Sequence, residues 1–169
     1  MPKGLKPTSG VIVISQGITE SAASTFTSQK VDLQLNVLDR EVFVVLAADI
    51  DVRPPDLTAD DSTQSTMSIS TVERTSVGGL DKSNVLAVAN ITTKSVTDVG
   101  AVTNMYMSTE SPHAQLDYIG IIATNDFYLN IEGARNSSAI AGNARLWGYR
   151  AQADAATYAA LTQSELLSQ

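Results

Sequence analysis

The chain has 169 residues and a mass of 17.9 kDa, and 18 acidic residues against 11 basic ones give it a net charge of -7 and a pI near 4.5. That length suits one domain. The absence of cysteine excludes a disulfide or thiolate–metal scaffold, the negative charge argues against bulk nucleic-acid binding, and no apolar run approaches the ~20 residues of a membrane helix.

Serine and threonine supply 18 and 17 residues, valine and isoleucine 15 and 11, while charged residues make up only 17%. β-branched side chains fit a pleated, half-buried surface. A surface of hydroxyls instead of Lys and Glu also repels neighbours poorly. No secretory signal is expected, since only four apolar residues, Val11–Ile14, follow the lysines at positions 3 and 6. The sequons at Asn90 and Asn136 are then chance occurrences in a Ser/Thr-rich chain.

In chain order, Val11–Ile14 is a short strand ended by Gly17. Val31, Leu33, Leu35 and Val37 alternate with polar residues, which predicts a strand over 31–37 with one wet face. A hairpin turn at Asp39-Arg40 leads into a return strand over 42–52, with Val42, Val44, Leu46, Ala48, Ile50 and Val52 on one face. Pro54 and Pro55 stop it. Residues 56–66 read as a loop, and Met67, Ile69 and Thr71 as a strand. Val85–Ile91, 102–108 and Leu116–Ile122 follow as strands. Phe127, Leu129 and Ile131 alternate strictly, as a hairpin partner of the strand before them. A loop over 133–143 precedes a last strand, Arg145–Arg150. From Ala151 the composition shifts to helix formers. Asp154 is the expected N-cap of a helix near 154–167, with Ala155, Tyr158, Ala159 and Leu166 on its apolar stripe.

The expected fold is all-β: an antiparallel sandwich, jelly-roll-like, of eight to ten strands with a short C-terminal helix. Residues 1–10 form an N-terminal arm, 11–152 the sandwich domain and 153–169 a C-terminal helical segment.

No enzyme constellation stands out. Ser111, His113 and Asp117 lie close in sequence, but two-residue steps through turn residues do not build a triad, and no nucleophile elbow is present. Asp49, Asp51, Asp56, Asp60 and Asp61 crowd into thirteen residues opposed only by Arg53. Oxygen-rich loops can bind a cation; a solvated acidic loop and a charged contact with another chain are the competing readings. Counterparts exist for the last. No Lys or Arg falls between Lys94 and Arg135, and the final basic residues are Arg135, Arg145 and Arg150. The arginine fork suits bidentate pairing with carboxylates, within a subunit or between subunits. Lys3 and Lys6 in the arm, and Tyr158 and Leu161 in the helix, complete the candidate contact residues. Trp147 and Tyr149 share a strand face, where aromatics serve either as core or as a platform for sugar. No metal or cofactor is expected.

A compact, cysteine-free, Ser/Thr-rich β chain with an N-terminal arm, low surface charge and no catalytic constellation resembles viral coat and other virion structural proteins of the jelly-roll type. The resemblance is one of pattern over Val11 to Arg150. It implies a subunit that assembles with copies of itself, and with other virion proteins, into a particle made in the host cytoplasm. With only Lys3 and Lys6 in the arm, direct genome contact is not implied. A sandwich that binds a carbohydrate or receptor through its loops is the alternative, and a carboxylate hydrolase ranks last.

Overall fold

The computed structural model describes residues 4–107, 109–110 and 117–167. In chain order they form β1 (Leu5–Pro7), β2 (Ile12–Thr19), β3 (Thr27–Asp32), a 3-10 turn (Val37–Asp39), β4 (Glu41–Val52), β5 (Ser62–Ser70), β6 (Val85–Val96), β7 (Gly100–Met107), β8 (Thr109–Glu110), β9 (Gly120–Ile122), β10 (Asp126–Ala134), β11 (Ala141–Ala153) and α1 (Ala155–Leu167). Every strand pairing is antiparallel.

The pairings follow a simple plan. Four of them, β2–β11, β3–β10, β4–β9 and β5–β6, make one long hairpin that closes between β5 and β6. Two more, β11–β4 and β10–β5, roll that hairpin into two sheets. The first sheet reads β2-β11-β4-β9, with β1 continuing the β2 side of β11 and β8 lying beside β4. The second reads β3-β10-β5-β6-β7. This is the jelly-roll order, with β7 as an added edge.

The core lies between the sheets. Phe43, Val45, Ala48, Ile50, Leu146, Met67, Ile69, Ala87, Ala89, Ile91, Phe127, Leu129 and Ile131 are all buried there. The single-face reading of β4 fails at its middle. The register with β11 shifts between Trp147 and Gly148, leaving Leu46 as an extra residue. That bulge re-aims the strand, so Phe43 and Val45 share the core with Ala48 and Ile50, while Val42 and Val44 face outwards. Gly148 is required at the bulge: a Cβ there would meet the Phe43 ring and the Val44 carbonyl oxygen.

Val42 and Val44, with Leu5, Ala123, Ala151 and Ala153, form a second buried cluster that α1 covers through Tyr158 and Leu161. Asp154 caps the helix, its Oδ1 accepting the Thr157 N–H at 2.7 Å. The expected stripe shifts, because Ala155, Ala159 and Leu166 are exposed and the covering face is Tyr158, Leu161 and Glu165.

Several other expectations change. The strand before the 3-10 turn is 27–32, not 31–37. Leu33 and Leu35 are buried, but as plugs of an irregular loop whose N–H groups bond Asn125 O and Oδ1. Asp39-Arg40 is not a hairpin turn, since β3 and β4 belong to opposite sheets. The same holds for β9 and β10. Gly17 lies inside β2, residues 62–66 are strand, and β11 absorbs 141–143. Residues 5–7 of the expected arm are a strand of the first sheet, with Leu5 buried opposite Ala153. His113, Ser111 and Lys3 lie outside the described residues.

Candidate functional site

The sandwich has two ends where loops gather, two broad sheet faces and its lateral edges. The loop end that carries the acidic segment is knitted shut from within. Asn136 is its hub. Its Oδ1 accepts the Asp56 N–H at 3.0 Å, its Nδ2 donates to Gln64 O at 2.8 Å, and its own N–H donates to Ser24 Oγ at 3.0 Å. Asp56 Oδ2 in turn accepts both the N–H and the hydroxyl of Ser137 and of Ser138, at 2.7 to 3.3 Å. Beneath this, the buried Glu20 carboxylate accepts three backbone N–H groups, from Thr25 at 3.1 Å, Gly133 at 2.6 Å and Ile140 at 2.8 Å.

The acidic residues are dispersed by these bonds. Asp60 takes the N–H and hydroxyl of Thr97, each at 2.6 Å. Asp61 pairs with Arg135 at 2.6 Å. The hydroxyl of Ser137 holds the Asp56 carboxyl below its ordinary range; the Thr97 hydroxyl does so for Asp60, and the Arg135 guanidinium for Asp61. Asp49 and Asp51 sit apart on the outer face of β4, opposite Arg145 and Asn143 of β11. Among the described residues no three His, Cys, Asp or Glu side chains gather to hold a metal ion.

The arginines divide. Arg135 is spent on Asp61. Arg150 clamps the loop after β3, donating to Leu33 O at 2.9 Å and Gln34 O at 3.3 Å, with Glu41 at 3.5 Å. Arg135 thus meets the acidic segment within the subunit, whereas Arg150 is held by Glu41 and the loop after β3, outside that segment. Arg145 stays exposed on the outer face of the first sheet, 5.8 Å from the Trp147 ring centroid and 3.2 Å from Ser15 Oγ. With Ser15, Gly17, Asp49, Asp51 and Asn143 it lines a shallow groove of about 510 Å³. Lys6 is exposed in β1, while Tyr158 and Leu161 are half-buried on the inner face of α1.

Two buried carboxylates escaped the sequence reading. Glu20 is one. Glu165 is the other, accepting the Ala123 N–H at 3.0 Å and the Thr124 N–H at 2.9 Å and so pinning α1 to the loop after β9. Burial pushes its carboxyl above the ordinary range, against the pull of those N–H groups. Glu165 leaves one trace in the sequence, a Glu at a covered position of a helix-period pattern, and Glu20, just after β2, leaves none.

The lateral edges differ in kind. In the second sheet, β3 carries Lys30 and Asp32, and in the first sheet β8 and β9 are only two and three residues long. Charge and shortness both guard an edge against pairing. On the other two edges the long strands β2 and β7 have neither guard, although β1, which continues the β2 edge, is short and carries Lys6 and Pro7. From Val11 through Thr19, β2 and its lead-in contain no charge and no proline; from Val99 through Thr109, neither do β7 and its flanks. Val11, Val13, Val102 and Met105 there are 64%, 52%, 63% and 62% exposed.

No family model matches the chain, and no curated protein matches it. Among solved structures, a chain from Desmodium yellow mottle tymovirus is similar over 91% of this chain and 95% of that one, at 14% identity and a TM-score of 0.34. A superposition that loose transfers neither residue roles nor function, and the strand order above rests on this chain's own pairings.

Proposed function

We propose that this chain is a structural subunit that self-assembles with copies of itself into the shell of a virus particle. One observation carries the reading: each sheet guards one edge with charge or shortness and leaves an eight-residue uncharged strand, β2 or β7, on the other. A protein built to remain monomeric blunts such edges. Here the blunting is selective, so the bare edges are contact surfaces and not oversights.

The rest of the molecule suits that role. The loops around Asn136 and Glu20 are fixed by internal bonds, which leaves a rigid block instead of a mobile binding end. The jelly roll serves capsids, lectins and cupins alike. The choice among them rests on the edges and on the polar side chains of the loop end being spent on the fold. The sandwich domain, 11–152, and the C-terminal segment, 153–169, that contains α1 act as one assembling unit. Its partners are other copies and other virion proteins, its location is the virion, and it needs no cofactor.

Negative-stain microscopy of the purified chain tests this. Uniform closed particles or rings are expected. A field of single 17.9 kDa molecules at high concentration would sink the reading.

The groove beside Trp147 favours a second reading, a module for a carbohydrate or receptor, because an exposed Arg145 next to an aromatic ring and polar Asn143 and Ser15 can hold a sugar. A glycan-array signal lost in Trp147→Ala would select it.

A further inference from the structure

The two bare edges occupy diagonally opposite corners of the sandwich. β2 ends the first sheet on the side where β3 ends the second, and β10 contacts β2 across the core. β7 ends the second sheet on the far side, beyond β6, which contacts β4 and β8. Among the described residues nothing pairs with the outer edge of either.

We infer that β2 of one copy pairs with β7 of the next, so that the first sheet of each subunit runs on into the second sheet of its neighbour. The inference rests on the assembly reading and names the contact it uses. Three facts support a second copy as the occupant. The strands are matched in length, eight residues each, and both are free of charge. Each is the only unguarded long edge of its sheet among the described residues. A single head-to-tail contact therefore covers both edges of every subunit, whereas like-with-like pairing would need two unrelated two-fold contacts.

Size shapes the consequence. An eight-residue strand is about 27 Å long and a two-sheet sandwich about 20 Å thick, so one joint buries on the order of 1,000 Å² in total, below the roughly 1,200–2,000 Å² of a stable specific contact. One joint alone is weak. A ring in which every copy is held at both edges is not, and a head-to-tail contact closes into a ring when its rotation allows.

The chain has no cysteine, which makes cross-linking selective. Val13→Cys and Val102→Cys are prepared separately; both positions are exposed, and Val11→Cys replaces the first if its circular dichroism departs from that of the parent. A short bismaleimide should give covalent dimers in a mixture of the two variants and none in either alone. Equal yields of dimer from one variant by itself would show like-with-like pairing and overturn the joint. If the mixture yields no dimer while light scattering of the same sample shows large assemblies, the joint is wrong but assembly stands. Monomers throughout would overturn both.

Discussion

Asn136 Oδ1 accepts the Asp56 N–H at 3.0 Å, joining two loops eighty positions apart in the chain. The same amide bonds Gln64 O, so one side chain ties the loop after β4, the start of β5 and the loop after β10. Asn136 is buried, and its replacement by alanine leaves the Asp56 N–H and the Gln64 carbonyl without their partner. Unmade bonds of this kind cost about 1–3 kcal/mol each. Asn136→Ala should lower the urea midpoint by the equivalent of about 2–4 kcal/mol, measured by tryptophan fluorescence. A change under ~0.5 kcal/mol would remove Asn136 as the hub. Because its amide is engaged, Asn136 should also stay unmodified despite the sequon it heads.

The two ends of the sandwich should respond to acid in opposite directions. Asp56, Asp60 and Asp61 have lowered pKa values through Ser137, Thr97 and Arg135. A depressed carboxyl adds stability above its unfolded value, about 3.9, and loses it as pH falls through the folded value. Glu165 is raised by burial. Its contribution is complete below its unfolded value and is lost as pH climbs through the folded one. Amide exchange, corrected for intrinsic rates and read from about pH 5 down to about pH 3, should therefore show falling protection at Ser137 and Ser138 with protection kept at Ala123 and Thr124. Equal loss at both sites would contradict these assignments.

Ser65 faces the core, fully buried, and its hydroxyl has no hydrogen-bond partner among the described residues. Removing a buried, unpaired hydroxyl removes a desolvation penalty and leaves only a small gap. Ser65→Ala should be neutral to stabilising by about 1 kcal/mol, seen as an equal or higher melting temperature by calorimetry. A clear loss would mean that the hydroxyl is satisfied.

Gly148 sits where β4 bulges, and any Cβ there points into the Phe43 ring and the Val44 carbonyl. Overpacking of this sort costs about 1–3 kcal/mol. Gly148→Ala should destabilise the fold by that amount, while Gly10→Ala, with nothing near the added carbon, should not. Equal effects would argue against the bulge as a close-packed point.

How much of this was legible depended on what each pattern measures. Alternation reports burial, and Leu33 and Leu35 are indeed buried. It does not report pairing, so an irregular loop tied to Asn125 passed for strand. Turn residues at 39–40 mark a change of direction but not whether the chain stays in its sheet, which is why two sheet crossings read as hairpins. The glycines at 142 and 148 suggested a loop and a strand interior; both are points where Met67 or Phe43 closes on the backbone. The acidic cluster was visible, but its partners Ser137, Ser138 and Thr97 carry no charge to announce them. The bare edges were present in the sequence as uncharged runs. Only the strand order showed that each lies at the end of a sheet.

Sedimentation velocity over a dilution series, on the parent chain beside Val13→Lys, tests the central claim most directly. A lysine on a bare edge blocks strand pairing, and Val13 is exposed, so the fold has no need of it. The account predicts a large, uniform species for the parent that gives way to monomer on dilution, and monomer at every concentration for Val13→Lys with an unchanged circular dichroism spectrum. A parent chain that remains monomeric at the highest concentration would contradict it.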